Sequence, residues 1–367
     1  MNDTHASQPG YGPHESRRVS VSAPGGRRGG VATGAGPRRH GPGAGRSRRV
    51  LVVRIGSMGD VIHTLPAAAS LKQSLAGCHL AWLIAPKWAI LLEGNPYVDE
   101  VIPFDRRRLR SVWSAVGELR RRAFDTVVDF QGLIKSALVA ALAKAHSIYG
   151  FHQSQLREKP AALFYSHRVR VTSRHVVDRN LELARAAGAR NTLRTFPLPP
   201  GRPEGELPGG EFVLASPLGG WKAKQWPLEN YAALARLLRE RLGVPLVLNG
   251  PPQERALLES VEGCRVHCPS LAGLIDATRR ALAVVGIDSG PLHLAAAMGK
   301  PGVALFGPTD PERNGPYGES FAVLRAPSAV TSYKRRKEID ASMRALTPDE
   351  VFAALEARLE MAAGGTP

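Results

Sequence analysis

The chain has 367 residues, 43% of them hydrophobic, and a formal charge of +17 at pH 7; this length and apolar content favour two domains over one. Its three cysteines, Cys78, Cys264 and Cys268, are too few for a disulfide framework and lack the spacing of zinc ligands, which fits a reducing compartment. No apolar run approaches the roughly 18 residues of a membrane-spanning helix or forms a secretory signal, so we expect a cytoplasmic protein whose membrane contact is peripheral.

Residues 1–47 consist mainly of Gly, Pro, Ser, His and Arg. Residues 1–50 contain nine arginines against Asp3 and Glu15, a net charge of 9 − 2 = +7. Such a segment buries too little apolar surface to offset the entropy lost on ordering. The sequence therefore predicts a disordered basic tail, which either touches an anionic surface or only solvates the chain.

The first domain is predicted over residues 48–195. Arg49 to Ile55 is a β-branched apolar run that ends at Gly56, as a buried parallel strand does at its turn. Apolar residues on a helical period follow over 60–75. Strands at 79–85, 98–103 and 124–130 then alternate with helices at 108–122 and 133–144. This alternation predicts a parallel sheet covered on both faces.

A Pro/Gly-rich linker is predicted at 196–210, and the alternation restarts over 211–346. The expected fold class is α/β, of the GT-B type: two Rossmann-like, doubly wound parallel-sheet domains that face a central cleft. Ligands of such sheets bind at the carboxyl edges of the strands. Residues 347–367 are expected to form a C-terminal helix that packs back on the first domain.

The segment Gly56-Ser57-Met58-Gly59-Asp60 follows the first strand and opens a helix. Its glycines permit close backbone approach, and a helix start offers N–H groups to anions. It lacks the Gly-x-Gly-x-x-Gly and Gly-Lys-Ser/Thr patterns, so it matches neither a dinucleotide site nor a P-loop. The Asp60 carboxylate suits a general base; the alternative is that it only caps the helix.

Two segments of the second half carry anion-binding chemistry. In Asp288-Ser289-Gly290-Pro291-Leu292-His293, Ser289 can cap a helix, Gly290 clears space for a ligand, and the helix start suits pyrophosphate. His293 can donate to a phosphate or be a core residue. Lys222 and Lys224 can neutralise a leaving diphosphate or lie on the surface. No Asp-x-Asp pair ends a strand, so no metal ion is required.

Taken together, these segments resemble the lipopolysaccharide heptosyltransferase family, the ADP-heptose-using GT-B enzymes of glycosyltransferase family 9, and most of all its first-heptose members. The resemblance covers roughly Arg49 to Leu355. The matching segments begin Ser57-Met58-Gly59-Asp60, Asp129-Phe130-Gln131-Gly132, Arg157-Glu158-Lys159-Pro160, Lys224-Gln225-Trp226-Pro227, Asp288-Ser289-Gly290-Pro291 and Phe306-Gly307-Pro308-Thr309. As a combination they are more specific than any one of them.

The resemblance implies inverting transfer of heptose from ADP-heptose to the Kdo of lipid A–Kdo in lipopolysaccharide inner-core synthesis. The catalytic residues it implies are Asp60, as base, and Lys224, as diphosphate contact. The implied donor-binding residues are Gly219, Gly220, Lys222, Glu254, Asp288, Ser289, Gly290 and His293. The implied acceptor-binding residues are Ser57, Met58, Gly59, His63, Gln131, Lys135 and Arg157. Some relatives carry small hydroxyl residues where this chain has Leu218-Gly219-Gly220, so the phosphate there is expected to rest on backbone N–H groups.

The resemblance also implies no cofactor and no metal, ADP-heptose being a co-substrate. The implied place of work is the cytoplasmic face of the inner membrane of a Gram-negative-type bacterium, with peripheral attachment. The open alternatives are a member that adds a later heptose or another sugar, an inactive sugar-nucleotide binder, and a basic nucleic-acid-binding protein. The last rests on the arginine clusters at 106–108 and 120–122, but no stacking aromatics interleave them, so we expect no nucleic-acid partner.

Overall fold

The computed structural model describes residues 47–105, 117–332, 334 and 336–364. Within these residues the chain forms two parallel β-sheets flanked by helices, here called the first and second lobes. The predicted tail, apart from Ser47, and the arginine cluster at 106–108 lie outside the described residues.

The first lobe is built on a parallel sheet with the strand order β3-β2-β1-β4-β5-β6 in the described residues. Its strands are β1 (Arg49–Val53), β2 (His79–Ile84), β3 (Glu100–Pro103), β4 (Thr126–Asp129), β5 (Ser147–Phe151) and β6 (His167–Val169). In the register, Val52 of β1 lies between Trp82 and Val128. All three are fully buried, as strands covered on both faces require.

The helices of the first lobe connect these strands. They are α1 (Met58–Ile62), α2 (Leu65–Ser74), α3 (Ile134–Leu142) and α4 (Val176–Ala186), with 3-10 helices at Pro86–Leu92, Gln153–Gln155 and Lys159–Phe164. Residues 117–122 are also helical. The helix predicted over 60–75 is two helices, because Pro66 has no N–H to continue α1 and instead occupies the first turn of α2.

The second lobe repeats the arrangement with the strand order β12-β11-β10-β7-β8-β9. Its strands are β7 (Val213–Ser216), β8 (Leu246–Asn249), β9 (Arg265–His267), β10 (Ala283–Ile287), β11 (Gly302–Phe306) and β12 (Phe321–Arg325). Its helices are α5 (Leu228–Leu242), α6 (Arg255–Glu259), α7 (Leu271–Arg280), α8 (Gly290–Ala297), α9 (Pro311–Asn314), α10 (Ala341–Arg344) and α11 (Pro348–Gly364), with 3-10 turns at Lys222–Lys224 and Pro252–Glu254.

The strand order reverses at one point in each sheet. In the first lobe β1 lies between β2 and β4, and in the second lobe β7 lies between β8 and β10. Loops leaving neighbouring strands at such a switch point diverge and open a crevice at the carboxyl edge of the sheet. The two-sheet α/β architecture predicted from the alternation of elements is therefore confirmed.

The segment between the lobes, residues 196–210, contains no helix or strand. It is held from both sides: Asn95 of the first lobe donates to the Pro197 carbonyl at 3.0 Å, and Arg279 of the second lobe donates to the Pro199 carbonyl at 2.8 Å. The segment is therefore bonded to both lobes.

The C-terminal helix α11 packs on the second lobe, against α5 and strands β11 and β12. Its residues Val351 and Leu355 are fully buried in that lobe's core. For the described residues 347–364, the expectation that this segment packs back on the first lobe is therefore wrong. Within the part of the chain that the structure describes, no helix combines the length and apolar character needed to cross a membrane.

Candidate active site

Most of the predicted site residues lie on the loops and helices that follow β1, β4, β7 and β10. Those are the strands on either side of the two switch points. The residues concerned are Ser57, Met58, Gly59, Asp60, His63, Gln131, Lys135, Gly219, Gly220, Lys222, Lys224, Asp288, Ser289, Gly290 and His293. Two come from elsewhere: Glu254 follows β8, and Arg157 follows β5.

Helices α1 and α8 bring the two lobes into contact at this site. An added Cβ at Gly59 would lie 2.4 Å from Cδ2 of His293, and one at Gly290 would lie 2.7 Å from Sδ of Met58. Two glycines therefore permit the helices to approach this closely. Gly290 was expected to clear space for a ligand, but in this structure the Met58 side chain occupies that space, and Met58 is only 6% exposed.

The Asp60 carboxylate is held on both oxygens. Its Oδ1 pairs with Nη2 of Arg54 at 2.6 Å, and its Oδ2 accepts from the backbone N–H of Ser57 at 2.9 Å and from the Ser57 hydroxyl at 3.0 Å. The bonds from Ser57 are those of a helix-capping carboxylate. Since the Asp60 side chain is still 38% exposed, capping leaves it accessible to a hydroxyl group.

Arg54, which no sequence motif singled out, holds the Asp60 carboxylate from the buried side. It is 6% exposed and donates through Nε to the Asp60 carbonyl at 3.3 Å and through Nη1 to the Phe130 carbonyl. A buried guanidinium needs a carboxylate partner, and Asp60 provides it. The available signal was a single cation at the end of the apolar run from Val50 to Ile55.

Gln131 supports the loop that carries Asp60. Its Oε1 accepts from the backbone N–H groups of Ile55 at 3.1 Å and Gly56 at 3.3 Å. Gln131 was predicted to contact the acceptor; its carbonyl oxygen instead bonds the β1 loop. The amide nitrogen of Gln131 remains for a ligand.

Asp129, fully buried below Gln131, anchors this arrangement. Its carboxylate accepts from the Gln131 N–H at 2.9 Å, the Ser136 hydroxyl at 2.9 Å and the Tyr165 hydroxyl at 2.7 Å. Burial raises the pKa of the Asp129 carboxyl, although these donors act against the rise. Burial beside Asp129 also raises the pKa of the Tyr165 hydroxyl, so Tyr165 stays a donor.

On the second lobe, Asp288 organises a cation and a histidine. Its Oδ2 lies 2.6 Å from Nζ of Lys224, and its Oδ1 lies 3.5 Å from Nε2 of His293. Burial acts to raise the pKa of Asp288, but the bond from His293 and the charge of Lys224 outweigh it and hold the pKa far below its usual value. The Lys224 ammonium also lies 4.4 Å from the centroid of the Trp221 ring.

Three buried polar atoms at this end of the second lobe have no hydrogen-bond partner among the described residues. They are Oγ of Ser289, Nδ1 of His293 and Oγ1 of Thr309. Ser289 was expected to cap α8, but its hydroxyl makes no capping bond. Leaving a buried donor or acceptor unsatisfied costs about 1–3 kcal/mol. A polar ligand that bonded these atoms would remove that cost.

His63 was predicted to contact the acceptor, but the structure buries it at 5% exposure. Its ring lies 4.3 Å from the ring of His293 and 5.8 Å from that of His175, centroid to centroid. Burial, and then the neighbouring charge of His293, lower the pKa of His63; burial also lowers that of His175. Burial therefore favours the neutral forms of His63 and His175 where the lobes meet. In the described chain no set of three or more His, Cys, Asp or Glu side chains is placed to hold a metal ion.

Four of the predicted site residues lie at the surface. Lys135, Arg157, Lys222 and Glu254 are exposed and form no ion pair with any residue the structure describes. Of the second arginine cluster, Arg122 is paired with Glu100 at 2.6 Å and Glu118 at 2.9 Å. These ion pairs give Arg122 partners within the first lobe.

Comparison with known proteins identifies the family of this chain. The model of glycosyltransferase family 9 (heptosyltransferase) matches residues 112–342. Lipopolysaccharide heptosyltransferase 1 of Escherichia coli is 33% identical over 310 residues, covering 76% of this chain and 94% of that protein. The protein of that name from Pseudomonas aeruginosa is 33% identical over 298 residues, covering 74% and 82%.

A solved structure shows the same likeness. Escherichia coli heptosyltransferase WaaC with ADP superimposes with a TM-score of 0.69 and 30% identity, covering 84% of this chain and 99% of that one. The family model spans more than half of this chain, and the relatives exceed 30% identity over most of it. The chain therefore belongs to glycosyltransferase family 9, the heptosyltransferases.

Proposed function

We propose that this glycosyltransferase moves heptose from ADP-heptose to the Kdo of lipid A–Kdo, the first heptose of the lipopolysaccharide inner core. The observation that carries the proposal is the contact of α1 with α8, which brings the helix bearing Asp60 to the helix that follows Asp288. The relatives called lipopolysaccharide heptosyltransferase 1 and the ADP complex of WaaC support the choice of donor and acceptor.

The donor diphosphate is proposed to bind at the amino end of α8. That end offers unpaired N–H groups and the positive end of the helix dipole. Lys224 is held near it by its ion pair with Asp288, which lies two residues before the first residue of α8. An ammonium has three donors, so Lys224 can keep its bond to Asp288 and still reach a phosphate oxygen. The unpartnered Ser289 hydroxyl and the Nδ1 atom of His293 supply further polar contacts.

The reaction is proposed as a single displacement with inversion. Asp60 takes the proton of the acceptor hydroxyl. At the same time the hydroxyl oxygen forms a bond to the anomeric carbon of the heptose, and the bond from that carbon to ADP breaks. Arg54 and Ser57 fix the Asp60 carboxylate in one orientation, which favours a defined attack geometry. Lys224 and the α8 terminus stabilise the negative charge of the departing ADP. In this mechanism they supply the positive charge, and no step requires a metal ion.

The acceptor is proposed to bind along the first lobe. Lys135 and Arg157 are exposed cations without an ion pair in the described chain, which suits the Kdo carboxylate or the lipid A phosphates. The protein is proposed to work in the cytoplasm, peripherally attached to the inner membrane, because its acceptor is a membrane glycolipid.

The test is a donor and acceptor panel with the purified protein. ADP-heptose and other nucleotide sugars are each offered with Kdo–lipid A and with its heptosylated form, and the product is identified by mass and by the configuration of its new anomeric bond. We expect product with ADP-heptose and unmodified Kdo–lipid A, with the anomeric configuration inverted. Preference for the heptosylated acceptor would assign a later heptose instead, and a retained configuration would reject the single displacement.

A further inference from the structure

The first lobe exposes large apolar side chains in one region. Among the described residues of that lobe, the exposed large hydrophobics are Ile134 at 38%, Leu138 at 43% and Leu163 at 74%. Ile134 and Leu138 lie on α3, and Leu163 lies on the 3-10 helix Lys159–Phe164, which packs against α3. These three side chains are called the α3 face below.

The geometry of the two elements fixes this face. Ile134 and Leu138 are four residues apart, so they lie on the same side of α3. The opposite side of α3 buries Ser136 and Ala140 in the lobe. The backbone N–H of Ile134 donates to the Glu158 carboxylate at 2.8 Å, which ties the start of the 3-10 helix to the start of α3.

Folding leaves these apolar groups in water, although scattered exposed leucines alone require no explanation. What distinguishes this face is the charge around it. Residues 131–170 contain six Lys or Arg residues and one acidic residue, Glu158. Glu158 is half-buried and bonded to Ile134, whereas Lys135, Arg157 and Lys159 are exposed without an ion pair among the described residues.

We infer that the α3 face docks on an anionic phospholipid bilayer. Ile134, Leu138 and Leu163 insert between the lipid headgroups, while Lys159 and its neighbouring cations pair with lipid phosphates. This inference rests on the proposed function, since a glycolipid acceptor presented at a bilayer reaches the lobe that carries Lys135 and Arg157. The face would hold that lobe against the surface from which the acceptor projects.

The test measures binding of the full chain to vesicles without acceptor. Vesicles of phosphatidylcholine are compared with vesicles that also contain phosphatidylglycerol, by co-sedimentation over a range of salt concentrations. We expect binding to the anionic vesicles only. The double substitution Leu138→Ser with Leu163→Ser should weaken vesicle binding at least about tenfold, because the two serines transfer much less apolar surface from water into the bilayer. Lys159→Gln should weaken it about fivefold at low salt.

The matched control substitutes exposed apolar residues of the second lobe. Leu257 is 40% exposed and Met361 66% exposed, close to the values of Leu138 and Leu163. The variant Leu257→Ser with Met361→Ser should bind vesicles like the wild type. The basic N-terminal segment is the same in every variant, and added salt weakens its attraction but not apolar insertion.

Several results would overturn the inference. They are failure of the wild type to bind anionic vesicles, unchanged binding by the Leu138 and Leu163 variant, or an equal loss in the control. Heptose transfer to acceptor in detergent micelles is measured in parallel and should be unchanged in the double variant. Vesicle binding without any heptose transfer would reject the proposed function and leave the docking surface in place.

Discussion

The substitution Asp60→Asn removes the charge of the proposed base while keeping its size and one oxygen acceptor. A positioned general base contributes about 10²–10⁴-fold to a rate, so turnover should fall at least about 100-fold. That fall corresponds to about 2.7 kcal/mol of lost transition-state stabilisation. The KM for ADP-heptose should stay nearly constant, because the proposed donor contacts come from Lys224 and α8 on the other lobe.

The same substitution also has a structural cost. It weakens the bonds from Ser57 and leaves the Arg54 side chain, which is 7% exposed, without its carboxylate. Breaking a buried pair costs about 3–5 kcal/mol. Since the Asp60 side chain is 38% exposed, we expect about 1–2 kcal/mol of destabilisation, which denaturant unfolding would measure.

A second capping carboxylate in the chain provides the control. Glu350 accepts from the Thr347 N–H and hydroxyl, both at 2.9 Å, in the same arrangement as Asp60 with Ser57. Glu350→Gln should lose similar capping energy and keep full turnover. If Asp60→Asn kept more than a tenth of wild-type turnover in the folded state, or if Glu350→Gln lost as much, Asp60 would be only a cap.

Three further predictions test the contact between the lobes and the donor site. Gly59→Ala should lower kcat/KM at least about tenfold because its Cβ meets His293, whereas Gly209→Ala, with open space around it, should leave kinetics unchanged. Lys224→Met should raise the KM for ADP-heptose and lower turnover, and unaltered kinetics would reject its role. The pKa of His63 is lowered in the folded protein, so neutral His63 adds to the free energy of unfolding above pH 6.5, near its pKa in the unfolded chain. This contribution is lost as the pH falls below that value, at up to about 1.4 kcal/mol per pH unit. Unfolding measured from pH 7.5 to 5 should show a shallower slope for His63→Asn but not for His146→Asn, whose side chain is 88% exposed.

The sequence predicted the two sheets and the loops that carry the site because strand periodicity and glycine-containing turns are local signals. The carboxylate at residue 60 was also predicted from a local signal. It caps α1, and its exposure leaves it able to serve as the proposed base. Arg54 could also have been found, since a cation at the end of a buried strand requires a partner.

The remaining features depend on which surfaces meet, which periodicity does not encode. The sequence predicted a C-terminal helix, but its partner is the second lobe and not the first lobe. The bond from Tyr165 to Asp129 spans 36 residues, and the edge-to-face contact of His63 with His293 joins different lobes. Likewise the space beside Gly290 is filled by Met58, a side chain more than 200 positions away.

That methionine has a thermodynamic consequence for ligand binding. Any group that enters the space beside Gly290 must first displace Met58 from its packed position. Full burial of a methionine side chain stabilises by about 1.5–3 kcal/mol, so displacing it offsets part of the ligand's intrinsic interaction energy. The observed dissociation constant is therefore higher than the ligand's own contacts would give. The difference reaches about 100-fold if none of the burial of Met58 is recovered. A smaller side chain at position 58 would reduce this competition and tighten nucleotide binding while loosening the junction between the lobes.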